Sequence, residues 1–142
     1  MAKKILVLCT GNSFRSQIAE AYLRDFAGTK ADVFSAGVQA SGTVYPYAVQ
    51  LMAEDGIDIS GQKSKTLDQF INMEFDFLIT VCDHAKESCP IFPKPVGKKL
   101  HHSFPDYTEK GDQSKQEYLS TLRPIRDAIK GFCREFVRKH LI

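Results

Sequence analysis

Tryptophan is absent from the 142 residues, and that absence by itself excludes nothing. Other absences say more. No apolar run approaches the roughly 20 residues that a membrane-spanning helix needs. No lysine or arginine stripe stands out, and the formal net charge is only +2, so nucleic acid is a poor candidate partner. There are no repeats, low-complexity tracts or interdomain linkers. A chain of this length is expected to form one domain over residues 1–142, built on one sizeable core. The start, Met1-Ala2-Lys3-Lys4, runs straight into a strand-like segment and is too short for a signal peptide, so a cytoplasmic protein is expected. Cysteine occurs only four times, which in a leaderless chain argues against a disulfide framework and for reactive or buried thiols.

What is present centres on Cys9–Ser16, CTGNSFRS. The apolar run Ile5-Leu6-Val7-Leu8 precedes it and a helical pattern follows, so Cys9 stands where a strand ends and a helix begins. A loop entering a helix N-terminus points several backbone N–H groups into one concavity and suits an anion. Gly11 permits a tight turn and Asn12 tolerates left-handed φ. Arg15 offers a planar fork to two oxygens of a tetrahedral anion. Amides, helix dipole and guanidinium all favour a thiolate, so the Cys9 pKa is expected to be lowered. Ser16 is close enough in sequence to donate a hydroxyl to that sulfur. A nucleotide P-loop fits worse, because it needs Lys-Ser/Thr after a longer glycine-rich loop.

Along the chain, Lys4–Cys9 reads as a buried strand and Ser16–Phe26 as a helix ended by Gly28. A strand over Asp32–Ala36, a loop over 37–44 and a helix over Pro46–Asp55 follow, with Tyr45, Ala48, Val49 and Met52 on the inner face. Thr66–Ile71 is expected to be a short helix with Thr66 as its N-cap. Phe75–Cys82 is a third strand, Asp83–Pro95 has no clean period, and Leu100–Ser103 is a weak fourth strand. The last helix carries Leu122, Ile125, Ile129, Phe132, Cys133, Phe136 and Val137 at helical spacing. Pro124 either kinks a helix begun near Ser114 or sits in the first turn of one begun near Thr121; the kink is preferred. The alternation implies an α/β fold, an open four-stranded parallel sheet with helices on both faces. The reactive loop then lies at the carboxyl edge of the sheet, where such folds bind ligands.

Cys82, at the end of the third strand, shares that edge with Cys9. Cys89 comes seven residues later, roughly 10 Å away along a helix, whereas a disulfide needs Cα atoms within about 7 Å. The two can join only if the polar DHAKES segment bends or unwinds. Beside a nucleophilic Cys9, a thiol relay is preferred to two incidental thiols. Cys82, His84, Cys89, His101 and His102 include zinc-ligand types but fit no standard spacing, so no metal is assigned. His101 and His102 are taken as loop or core residues, and Cys133 as a core residue. Asp106 follows Phe104-Pro105; from composition it is either a solvated aspartate or an acid for a departing oxygen.

CTGNSFRS followed by QIAEAYL resembles the phosphate loop and first helix of the low-molecular-weight protein tyrosine phosphatases, and still more the thioredoxin-coupled arsenate reductases built on that fold. The resemblance continues through SAGV at 35–38, TVCDHAKESCP at 80–90 and the Phe104-Pro105-Asp106 region, nearly the whole chain. It implies a three-layer sandwich, with Thr10, Gly11, Asn12, Ser13, Phe14 and Arg15 around the oxyanion and Asp106 as general acid. It further implies that Cys9 attacks arsenate, that Cys82 attacks Cys9 as arsenite leaves, and that Cys89 moves the disulfide outward for reduced thioredoxin, with no bound cofactor and a monomer. The chain departs from the pattern at Tyr107, where proline is usual, at His102, where tryptophan is common, and at Phe14, often cysteine in the reductases. Some relatives bind potassium through residues matching Asn12, Glu20 and Ser35 plus an aspartate. Lys65 stands in the aspartate's place, so potassium independence is expected. The rival enzyme is a phosphatase with a phosphocysteine intermediate, and the non-catalytic alternative is an oxyanion sensor on the same fold.

Overall fold

The computed structural model describes residues 2–105 and 115–141. Four strands, β1 (Lys3–Cys9), β2 (Ala31–Gly37), β3 (Phe75–Thr80) and β4 (Val96–His101), form one parallel sheet in the order β2-β1-β3-β4. β1 is interior, and Ile5, Leu6, Val7 and Leu8 are completely buried, as expected of a strand covered on both faces. Helices α1 (Arg15–Ala27), α2 (Pro46–Glu54), α3 (Asp83–Ser88) and α4 (Lys115–His140) flank it. The order places the carboxyl ends of β1, β3 and β4 side by side, and the loops that follow them build the site.

Most of these elements match the sequence reading, and the exceptions are informative. The segment after Thr66 closes as a single 3-10 turn, Leu67–Gln69, and the Thr66 side chain makes no capping bond. β3 ends at Thr80, two residues before Cys82, and β4 begins at Val96 rather than Leu100. The stretch without periodicity contains α3, six residues long with Ala85 as its buried side chain. Pro124 lies inside α4, whose 26 residues bury Leu119, Leu122, Ile125, Ile129, Cys133, Phe136 and Val137 along one stripe. α1 ends as expected at Gly28, φ 57°, a conformation glycine adopts without strain.

α2 and α4 are tied by charge as well as by packing. Arg123 and Arg126 both bond Glu54, Arg126 Nη1 also donates to Leu51 O at the end of α2, and Lys130 pairs with Asp55. Tyr22 on α1 donates to Asp55 at 2.8 Å, so all three helices meet at this point.

Candidate active site

The cup is built by the turn from β1 into α1, residues 10–14, with Cys9 and Arg15 at its two ends. Its carbonyls face outward. Val38 N donates to Cys9 O, Gln39 N to Thr10 O, Ser41 N to Gly11 O and Tyr45 N to Ser13 O, each at 2.9–3.0 Å. With its acceptors turned to the 38–45 segment, the loop leaves its amide side for an anion. The two stretches come this close because residue 37 is glycine: a Cβ there would stand 2.5 Å from Thr10 O and 3.0 Å from Asn12 N.

Asn12 is the fastener. It is fully buried and adopts φ 49°, in the left-handed region asparagine tolerates. Its side-chain NH₂ donates to Ser16 Oγ (2.7 Å) and Ser35 Oγ (2.9 Å). Its Oδ1 accepts from Gln17 Nε2 (2.9 Å) and Lys65 N (2.8 Å). All four hydrogen-bonding positions of the amide are thus used. Its backbone N–H donates to Cys9 Sγ at 3.1 Å.

Cys9 is 2% exposed, and Ser16 Oγ lies 2.8 Å from its sulfur. Because Asn12 already donates to Ser16 Oγ, the serine's own hydrogen is available to the sulfur. The expectation of a lowered thiol pKa needs correction. Burial is the largest influence and pushes the Cys9 thiol up; Ser16, Asn12 and Arg15 pull it down without cancelling that burial. The sequence puts Cys9 at the end of a buried strand and beside groups that favour a thiolate, but it does not say which of the two influences is larger.

Arg15 opens α1, half-buried, and donates from Nη1 to Phe104 O at 3.0 Å. Phe104 is itself fixed: its ring is buried and meets Phe132 of α4 and His102, and its N–H donates to Val81 O. Asp106 lies outside the described residues. Phe14, in place of the cysteine common in the reductases, is buried with its ring edge-on to Tyr45.

Cys82 is 4% exposed and stands over the start of the cup, its Sγ 3.4 Å from Thr10 Oγ1. The same sulfur caps α3 by accepting from Ala85 N at 3.4 Å. Cys89 closes the far end of α3 and is half-buried; burial pushes its thiol up, with Lys99 opposing. All four cysteines are free thiols, and Cys133 is buried in the core as expected, its thiol pushed far up by desolvation. The structure thus brings Cys9, Thr10, Asn12, Arg15, Ser16 and Cys82 into one neighbourhood, with Cys89 one short helix away.

The residues that matched a potassium site are together, and a lysine is among them. Ser35 Oγ donates to Glu20 Oε1 at 2.6 Å, and Lys65 Nζ lies 3.5 Å from the same oxygen. Arg24 pairs with Oε2 at 3.0 Å. Glu20 is buried. With two cationic groups on this carboxylate, the donor set does not fit a further cation. Among the described residues no group of three or more His, Cys, Asp or Glu could hold a metal ion. No described helix is long and apolar enough to cross a membrane.

Sequence reasoning missed Gln17 and Ser64. Gln17 is fully buried and donates to Asn12 O, Asn12 Oδ1 and Lys63 O, while Ser64 Oγ donates to Gly11 O. Gln17 shares the buried side of α1 with Ser16 and Glu20, and no pattern in the sequence separates it from an exposed glutamine. Nothing in sequence marked Ser64.

Comparison with known proteins agrees with this geometry. The family model described as low molecular weight phosphotyrosine protein phosphatase matches residues 4–140. An arsenate reductase of Halalkalibacterium halodurans is 42% identical over 130 residues, 91% of each chain. A solved structure titled as an arsenate reductase in the phosphate binding state superposes with a TM-score of 0.75 at 28% identity, covering 96% of this chain and 98% of that one. A thioredoxin-dependent arsenate reductase from Corynebacterium glutamicum superposes with a TM-score of 0.71 at 28% identity, covering 97% of this chain and 60% of that one.

Proposed function

For a chain that belongs to the low molecular weight phosphotyrosine protein phosphatase family, we propose reduction of arsenate to arsenite with reduced thioredoxin as electron donor. The observation that supports this reading over simple ester hydrolysis is the second buried thiol beside the cup, Cys82, 3.4 Å from the hydroxyl of the residue that follows Cys9. A phosphatase needs the cup alone; a reductase needs a resolving thiol within reach of it.

In this mechanism Cys9 attacks the arsenic of an arsenate held by the loop amides and Arg15. Ser16 stabilises the thiolate, and the departing oxygen leaves as water after protonation by Asp106, the general acid that the family resemblance implies. Cys82 then attacks Cys9 Sγ. The S–As bond breaks, its electron pair leaves with arsenic as arsenite, and a Cys9–Cys82 disulfide forms. Cys89 attacks Cys82, restoring the Cys9 thiolate and leaving Cys82–Cys89 for a thioredoxin dithiol to reduce. This last exchange requires α3 to unwind, since its two end cysteines are separated by about 10 Å of helix.

The related hydrolase reading keeps the same cup and replaces Cys82 by water as second attacker. One experiment decides between them: arsenate-dependent NADPH consumption with thioredoxin and its reductase, beside hydrolysis of a phenyl phosphate ester. Cys82→Ser and Cys89→Ser are each expected to abolish the first and spare the second. Arsenate turnover that survives both changes overturns the relay.

A further inference from the structure

The helix between Cys82 and Cys89 is braced by a side chain outside the anion cup. His101 ends β4. Its Nδ1 lies 2.7 Å from Thr80 Oγ1 at the end of β3, and its Nε2 lies 2.9 Å from Asp83 Oδ1, the first residue of α3. The imidazole is a strut from sheet to helix. An ionised Asp83 only accepts, so Nε2 carries the hydrogen. With a neutral ring, Thr80 donates to Nδ1. With a charged ring, Thr80 accepts and turns its own hydrogen toward Leu100 O, 3.4 Å away. Either placement of the hydrogens satisfies both ring nitrogens and the Thr80 hydroxyl.

Other restraints on α3 are few. Cys82 Sγ accepts from Ala85 N, Cys82 O accepts from Lys86 N at 3.2 Å, and Ala85 is the helix's buried side chain. A six-residue helix has almost no intrinsic stability, so a single side-chain bridge weighs heavily in whether it stays wound. The charged neighbours of the bridge are Lys86 of α3 and Lys99 of β4, both exposed, which line a cleft of about 270 Å³ together with Cys89 and His101.

We propose that His101 is a positioning residue whose bridge to Asp83 belongs to the dithiol form and sets the redox equilibrium of the Cys82–Cys89 pair; this rests on the relay described above. Closing the disulfide takes two electrons and two protons from the thiols, which pass to the partner disulfide as it becomes a dithiol. Closure also pulls Cys89 onto Cys82 and breaks the turn that carries Asp83. An interaction made only by the dithiol form stabilises that form. It therefore makes the Cys82–Cys89 disulfide a stronger oxidant and easier for an external dithiol to reduce.

The test is equilibration of the full chain with thioredoxin dithiol–disulfide mixtures, followed by alkylation and peptide mapping of the Cys82–Cys89 bridge. His101→Ala and Asp83→Ala are each expected to shift the equilibrium about threefold to tenfold toward the disulfide, at most about 30 mV for a two-electron couple. The double variant should shift no further than either single one, and Asp83→Asn, which keeps an acceptor, should fall between. A purely structural role would lower the melting temperature and leave the equilibrium unmoved, and that result, or additive single effects, overturns the proposal. If oxidised wild type shows no Cys82–Cys89 bridge in the same maps, the relay itself is wrong and the proposal falls with it.

Discussion

Asn12 hands Ser16 to Cys9. Its side-chain amide donates to Ser16 Oγ at 2.7 Å, and the serine oxygen in turn sits 2.8 Å from the buried sulfur. A hydroxyl with its acceptor side occupied has its hydrogen to give, and the receiver is the group that must carry negative charge. Ser16→Ala removes a hydrogen bond to that charge, an interaction of about 1.5–3 kcal/mol. The Cys9 thiol should then titrate about one to two pH units higher, since one unit corresponds to about 1.36 kcal/mol. Burial already holds this thiol up, so the change adds to an existing cost. The rate of Cys9 alkylation against pH, in a chain lacking the other thiols, measures it; an unmoved profile rules out the serine's role.

Gly37→Ala should damage the cup with little effect on the rest of the sheet. The added methyl would press on Thr10 O at 2.5 Å, and the atoms it meets are all backbone of residues 10–12, which cannot swing aside as a side chain would. The expected result is at least a tenfold loss of oxyanion affinity with far-ultraviolet dichroism preserved. Phosphate protection against thermal unfolding gives the readout, and wild-type protection in the variant would refute the close approach.

Potassium should not activate this protein. Lys65 and Arg24 both face Glu20, which is buried and also accepts from Ser35. Turnover in potassium and sodium salts of equal ionic strength should agree. Lys65→Ala should lower stability by about 1–3 kcal/mol, because it leaves a buried carboxylate with fewer partners. Selective potassium activation of the wild type would show that the ammonium does not fill the cation's role.

Acid should weaken the joint between α2 and α4. The bonds from Arg123, reinforced by Arg126, hold the Glu54 carboxyl down to about 2. Lys130 and then Tyr22 hold Asp55 below its usual value. Both carboxyls bind protons less readily folded than unfolded. Their stabilisation is therefore complete above the unfolded carboxylate range of about 4 to 4.5 and declines as the pH falls toward about 2. Urea midpoints at pH 7, 4 and 2.5 should fall less steeply for Glu54→Gln than for wild type. Parallel slopes would remove Glu54 from the account.

The parts of the fold that announced themselves in sequence were those with strong periodicity and sharp ends. β1 is an unbroken apolar run, α1 stops at Gly28, α2 starts at Pro46, and the stripe of α4 continues through Pro124. α3 escaped because six residues with one buried side chain offer no period to detect. β4 was placed four residues late because an edge strand reading VGKKLH is exposed through Gly97, Lys98 and Lys99. In the site, Cys9, Gly11, Asn12, Arg15 and Ser16 could be singled out from residue type and spacing, and the structure brings them together between β1 and α1. The contacts between distant segments, Thr10 with Cys82 or His101 with Asp83, depend on strand order, which a linear sequence does not display.

The bond from Arg15 to Phe104 O has a consequence for how an anion is captured. A long, flexible cationic side chain ordinarily surrenders its rotational freedom at the moment of binding, and affinity suffers accordingly. Here one guanidinium nitrogen is anchored to a peptide oxygen across the sheet edge, so much of that freedom is already gone in the folded chain. The fork waits at a fixed angle, and the oxyanion meets a receptor more than a swinging arm.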